Sequence, residues 1–151
     1  MAQMHKNQGN QGDYVWENIQ SVEQLGTIRM STMEGFLAYF DTGKQQGRYV
    51  AGELPSLPFE GGQFDIALSS HFLFLYSAHL SAEFHIQALQ EMLRVAHEVR
   101  IFPLLALDGM PSLHLKVAND YFSARSFSVD TMRVPYEFQR GGNEMLVIKP
   151  V

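Results

Sequence analysis

The chain has 151 residues, 46% of them apolar, enough for one domain with a sizeable core. Its net charge of −5 and the lack of any Lys and Arg cluster argue against nucleic acid as the main partner, because phosphate binding relies on clustered cations. There is no cysteine to support disulfides or thiolate metal sites, and the apolar stretches Phe72 to Leu75 and Ile101 to Leu107 fall far short of the ~20 residues of a membrane helix.

From Met1 to Asp13 the chain is Gln, Asn and Gly with hardly an apolar anchor, so residues 1–13 are expected to be a disordered leader and 14–151 the folded part. No basic-then-apolar segment precedes Trp16, which makes a cytoplasmic location the default expectation. Ser21 and Gln24 have capping-box spacing, and Leu25, Ile28, Met33, Phe36, Leu37 and Phe40 recur at mostly helical intervals, predicting an amphipathic helix that stops near Gly43 to Gly47. Arg48 to Gly52 reads as a short strand running into a loop with Pro55 and Pro58.

Phe64 to Ser69 is a short apolar run bounded by Gly61-Gly62 and Ser69-Ser70, which suits a strand buried on both faces. Ser81 can cap a helix with Ile86, Leu89, Leu93 and Ala96 on one face. Val99 to Leu105 is the next predicted strand, Asp108-Gly109 a turn, and Pro111 to Ala124 a helix with Pro111 in its first turn. Phe127, Val129 and Thr131, then Met145 to Ile148 after Gly141-Gly142-Asn143, predict an antiparallel terminal pair. This alternation predicts an open α/β sheet, with any active site at the strand ends Gly52-Glu53, Ser69-Ser70-His71 and Phe102-Pro103.

The stretch Gly52-Glu53-Leu54-Pro55-Ser56-Leu57-Pro58-Phe59, followed by Phe64-Asp65, resembles the Gly-acid-x-x-x-Leu-Pro-Phe…Phe-Asp segment of class I S-adenosylmethionine-dependent methyltransferases. The resemblance runs from about Trp16 to Ile148. It implies a Rossmann-like methyltransferase sheet, mostly parallel with an antiparallel C-terminal strand. It also implies methyl transfer from S-adenosylmethionine to an unidentified acceptor, small molecule or protein. By position, Glu53 would bond the adenine amino group and Leu54 pack on the ring, while Ser69, Ser70 and His71 would face the methionine half of the cofactor.

The family's glycine-rich turn and acidic ribose-binding residue have no counterpart before Arg48, so the expected sheet is incomplete. The expectation is a fragment, a truncated product or half of a split protein, with a binding or scaffolding remnant as the alternative to the enzyme. Losing the family's first strand would expose the edge of the Phe64 strand and favour a homo-oligomer.

His71 is a candidate general base by its place at a strand end, the alternative being a histidine bonded to nearby backbone. His79, Glu83 and His85 lack the i, i+4 pairing of a helical zinc motif, and no metal site is predicted. Phe72, Phe74 and Tyr76 alternate, lining either a substrate pocket or the core. A hydrolase reading finds no Gly-x-Ser-x-Gly elbow.

Overall fold

In the computed structural model of the chain, residues 11–151 are described, and those before Gly52 form a unit separate from Gly52–Val151. Most of the leader lies outside the described residues; Gln11–Asp13 form one turn of 3-10 helix.

The first unit is built on helix α1, Val22–Gln45. Ser21 Oγ accepts from Gln24 N at 3.1 Å, as the spacing predicts, but the Gln24 side chain reaches back to Gln20 N, one residue ahead of the reciprocal partner. The helix closes with Gly47 at φ 72°, Arg48 N bonding Gly43 O at 2.8 Å and Gly47 N bonding Lys44 O at 3.0 Å. These two bonds satisfy carbonyls that a helix end leaves open. The chain then folds Tyr49 back over Phe36 and Phe40, with ring centroids 5.6 and 5.3 Å away. Gly43 lies under that ring, where a Cβ would collide with it.

Two expectations fail in this unit. Arg48 to Gly52 is not a strand, because Tyr49 packs on the preceding helix and no described strand pairs with the segment. The helix also buries no continuous apolar face: Ile28, Met33, Phe36 and Leu37 are all exposed, and only Leu25 and Gly43 are buried. At 100° per residue its apolar side chains spread over more than half the circumference, too wide for a single stripe.

The second unit contains β1 (Phe64–Ser70), α2 (Ala82–Val95), β2 (Ala96–Phe102), α3 (Leu115–Ser123), β3 (Phe127–Arg133) and β4 (Glu144–Pro150). They build an α/β fold around a four-stranded open mixed sheet of order β1-β2-β4-β3. β1 and β2 are parallel, and β4 runs antiparallel to both β2 and β3. Three strands therefore point one way, and the reversed C-terminal strand lies between the second and the third. The antiparallel terminal pair is as the sequence predicts.

The register aligns Ala67, Val99, Ile148 and Val129 in one row across all four strands. Neighbouring rows carry Ile101 and Leu146 on the same face. Leu89 and Met92 of α2 and Ala118 and Phe122 of α3 close over these residues to form the core. The other face carries Ile66, Leu68, Arg100 and Val147, and the core helices do not cover it.

Three further boundaries or faces are corrected. β1 is not buried on both faces: Phe64, Ile66 and Leu68 are exposed because the core helices cover only the opposite face, and the strand is also an edge that no described strand flanks. The buried face of α2 is His85, Ala88, Leu89, Met92 and Val95, while Ile86 and Leu93 pack at its margin. α3 begins at Leu115 rather than at Pro111, because Leu105 bridges Pro111 and Ser112 N bonds Leu104 O at 2.9 Å, holding the preceding residues in a turn.

Candidate functional site

The carboxyl ends of β1 and β2 lie side by side, with Ser70 registered against Phe102. Immediately beyond, His71 adopts φ 54°, a left-handed conformation that costs a side chain with Cβ and persists only where the surroundings enforce it. Its N–H bonds Phe102 O at 2.7 Å, its Nδ1 lies 2.8 Å from Ser70 Oγ, and its ring meets Phe102 edge-on at 5.5 Å. The strained turn thus fixes the imidazole by one backbone and two side-chain contacts.

Ser70, His71 and Phe102 line a shallow open hollow of about 290 Å³ together with Val134, Tyr136 and Met145, and the His71 side chain is exposed. Tyr136 approaches Phe102 at 6.1 Å between ring centroids. Of the hollow's lining side chains only those of Ser70, His71 and Tyr136 are polar.

The Gly52 to Phe59 loop meets β1 through Phe59, whose ring lies 5.0 Å from that of Phe64. Ser56 N bonds Glu53 O at 2.9 Å and forms a tight turn. Leu54 is half-buried against the core and, with Leu57, Phe59, Ser69 and Ser70, lines a groove of about 490 Å³ along β1. Glu53 precedes Leu54 with its side chain exposed and is not among the lining groups. Of the residues singled out from the sequence, Leu54, Ser69 and Ser70 therefore meet in the groove. Ser70 and His71 meet in the adjoining hollow, and Glu53 stands outside both.

A clamp on this loop was not foreseen. Glu91 near the end of α2 accepts from Leu57 N at 2.6 Å and from Arg94 Nε and Nη2, both at 2.7 Å. Arg94 in turn donates to Phe59 O at 2.9 Å and Leu57 O at 3.2 Å. The Arg94 hydrogen bonds hold the Glu91 carboxyl down to about 2, helped by the Leu57 N–H against the opposing effect of burial. The same bonds push Arg94 upward. The sequence signal was the Glu91 and Arg94 spacing at a helix end, which favours an ion pair but cannot show the loop it grips.

His85, weighed above as a ligand, is a core residue. Its Nδ1 lies 2.8 Å from Ser81 O and its Nε2 3.0 Å from Leu73 O, while Phe74 stacks on the ring at 5.4 Å. A neutral imidazole carries one N–H, so it donates to one carbonyl at a time. Burial is the first cause lowering its pKa, and the neighbouring His114 adds to it. Among the described residues no group of three or more His, Asp or Glu is placed to hold a metal ion. Phe74 is likewise buried in the core, whereas Phe72 lines the β1 groove. Among the described residues no helix is long and apolar enough to cross a membrane.

An uncharacterized protein of Methanocaldococcus jannaschii is 34% identical to the chain over 137 residues, which cover 91% of the chain and 59% of that relative. The chain thus spans less than two thirds of the relative's length. No family model matches the chain, and no solved structure matches it.

Proposed function

We propose that the chain is part of an S-adenosylmethionine-dependent methyltransferase with a Rossmann-like sheet, acting within a longer or split protein on an acceptor not yet identified. The observation that carries this reading is the sheet itself. Three strands share a direction, the last strand is reversed, and Ser69, Ser70 and His71 end the strand whose outer side is open. In the resembling family the first strand would border that side. The greater length of the M. jannaschii relative is in keeping with a catalytic unit larger than this stretch.

On this reading the adenine half of the donor lies in the groove beside Leu54, and the Glu53 side chain, which stands outside the groove, turns in to meet it on binding. Leu54 and Leu57 offer an apolar wall, and the exposed Glu53 carboxylate is an acceptor one residue away. S-adenosylmethionine, when bound, supplies an activated sulfonium methyl for in-line displacement by an oxygen, nitrogen or carbon of the acceptor. Orientation is then the protein's main contribution. The Glu91 and Arg94 clamp fixes the loop that carries Glu53 and Leu54. His71, its Nδ1 held by Ser70 Oγ, takes up a proton from acceptors that must lose one.

Calorimetric titration of the chain with S-adenosylhomocysteine, repeated with Glu53→Ala, tests the reading. Binding weakened roughly tenfold by the substitution, the worth of one hydrogen bond at ~1.4 kcal/mol, is expected. A folded chain that gives no heat with this ligand would instead favour a non-catalytic scaffolding role. The exposed apolar edge of β1 is the observation that speaks for that second reading.

A further inference from the structure

Two buried histidines meet at the turn that leads from β1 into α2. His85 stands in the first turn of α2 and His114 is the N-cap residue of α3, with ring centroids 4.5 Å apart. Both rings therefore lie at helix ends whose positive partial charge opposes a cation. The oxygens that meet their nitrogens are all backbone carbonyls. Those of Leu73 and Ser81 face His85, and Nε2 of His114 lies 3.2 Å from Ser77 O and 3.0 Å from Leu80 O. Among the described residues no carboxylate bonds either ring. The ionisable groups on the surrounding elements are exposed: Tyr76 and His79 on the turn, Glu83 on α2, Asp108 ahead of α3, and Lys116 and Asp120 on α3.

The turn divides into an anchored and a releasable part. Leu73 and Phe74 are fully buried in the core, whereas Leu75 and Leu80 are half-buried and Tyr76, Ala78 and His79 exposed. Residues 75–80 are held by polar ties, with Leu80 packing at the core margin. These ties are the His114 bonds, Ser77 Oγ with Ser112 Oγ at 2.5 Å, and Leu107 N to Leu75 O at 3.0 Å. A segment with so little buried apolar surface can open without the rest of the fold.

We infer that His85 and His114 form a pH-sensitive latch, which holds residues 75–80 closed while both rings are neutral and releases them in acid while the rest of the fold stands. Burial and the His114 ring hold the His85 pKa below its ordinary 6.5, outweighing the two carbonyls that favour its charge. The open form thus takes up a proton that the closed form excludes, and opening gains as pH falls below 6.5. Release reaches the groove along β1. Phe72 lines that groove, Tyr76 N bonds Phe72 O at 3.1 Å, and their ring centroids are 6.2 Å apart, so Phe72 loses a support when the segment opens. The latch does not depend on methyl transfer.

The test is amide exchange of the full chain between pH 7.5 and 5, converted to opening constants so that the intrinsic pH dependence of exchange drops out. Leu107 N reports release, since it bonds Leu75 O, and the amide of Ile148, buried in β4, reports the core. Opening at Leu107 should exceed that at Ile148 at each pH. It should also rise more than threefold towards pH 5, with roughly thirtyfold as the limit when only the open form binds the proton. In His85→Gln the rise should shrink below threefold. A rise below threefold in the unmodified chain, opening at Leu107 no more frequent than at Ile148, or a larger rise that persists in folded His85→Gln overturns the inference. The unmodified chain decides even if the variant does not fold.

Discussion

Replacing Glu91 by Ala removes the acceptor on which the loop clamp converges. The bond from Leu57 N to an ionised carboxylate contributes ~1.5–3 kcal/mol, and its loss leaves a half-buried amide dependent on water. The ion pair adds little, because the Arg94 side chain is 43% exposed and solvent screens it. Arg94 can still reach Leu57 O and Phe59 O, but without the carboxylate that orients its guanidinium. The expected loss is about 2 kcal/mol by urea unfolding. Where the loop opens without the rest of the fold, amide exchange at Leu57 quickens roughly thirtyfold. An unfolding change below ~0.5 kcal/mol together with unaltered exchange at Leu57 would show that the loop holds its place without the clamp.

Acid should destabilise the fold in two windows. His85 has a folded pKa below its ordinary 6.5, so the unfolded chain binds the extra proton and stability falls as pH drops from 6.5. Glu91, lowered from 4.5 to about 2, contributes stability that is fully present above 4.5 and lost as pH falls towards 2. Melting temperatures across pH should show both, with His85→Gln flattening the upper window alone. Leu89→Ala, at a fully buried position in the core, should cost ~2–5 kcal/mol in urea unfolding, depending on how far the core collapses into the space.

Local signals were the most legible part of the fold. Ser21 and Ser81 cap the helices they were expected to cap, and the Asp108-Gly109 turn and the terminal strand pair follow directly from residue type and alternation. What local pattern could not supply was the neighbour. Phe64-Asp65-Ile66-Ala67-Leu68 has the composition of a strand buried on both faces, yet burial of its second face depends on a covering layer that its own residues do not encode. The turn through Pro111 depends likewise on Leu104 and Leu105, which hold it back from the helix that its spacing suggested. At the site, the strand end Ser69-Ser70-His71 was legible as a place, while the left-handed turn that locks His71 against Phe102 was not. The clamp was invisible because its partners, Leu57 and Phe59, lie more than thirty residues away from it and contribute only backbone.

Val95 closes α2 and Ala96 opens β2, with no connecting residue between them. At this junction the length of the chain is therefore as constrained as its composition. One inserted residue would turn Val99 and Ile101 out of the core and bring Glu98 and Arg100 into it, since side chains alternate along a strand. A matched deletion in β1 could not repair the damage, because β4 reads the same β2 residues from the other side. The connection from β3 to β4 has no such double reading: it is a loop pinned by Glu137 to Gly141 N and Asn143 Nδ2. The segment that aligns α2 with the sheet thus admits substitution but not insertion, whereas the β3 to β4 loop is held by its own hydrogen bonds rather than by strand register.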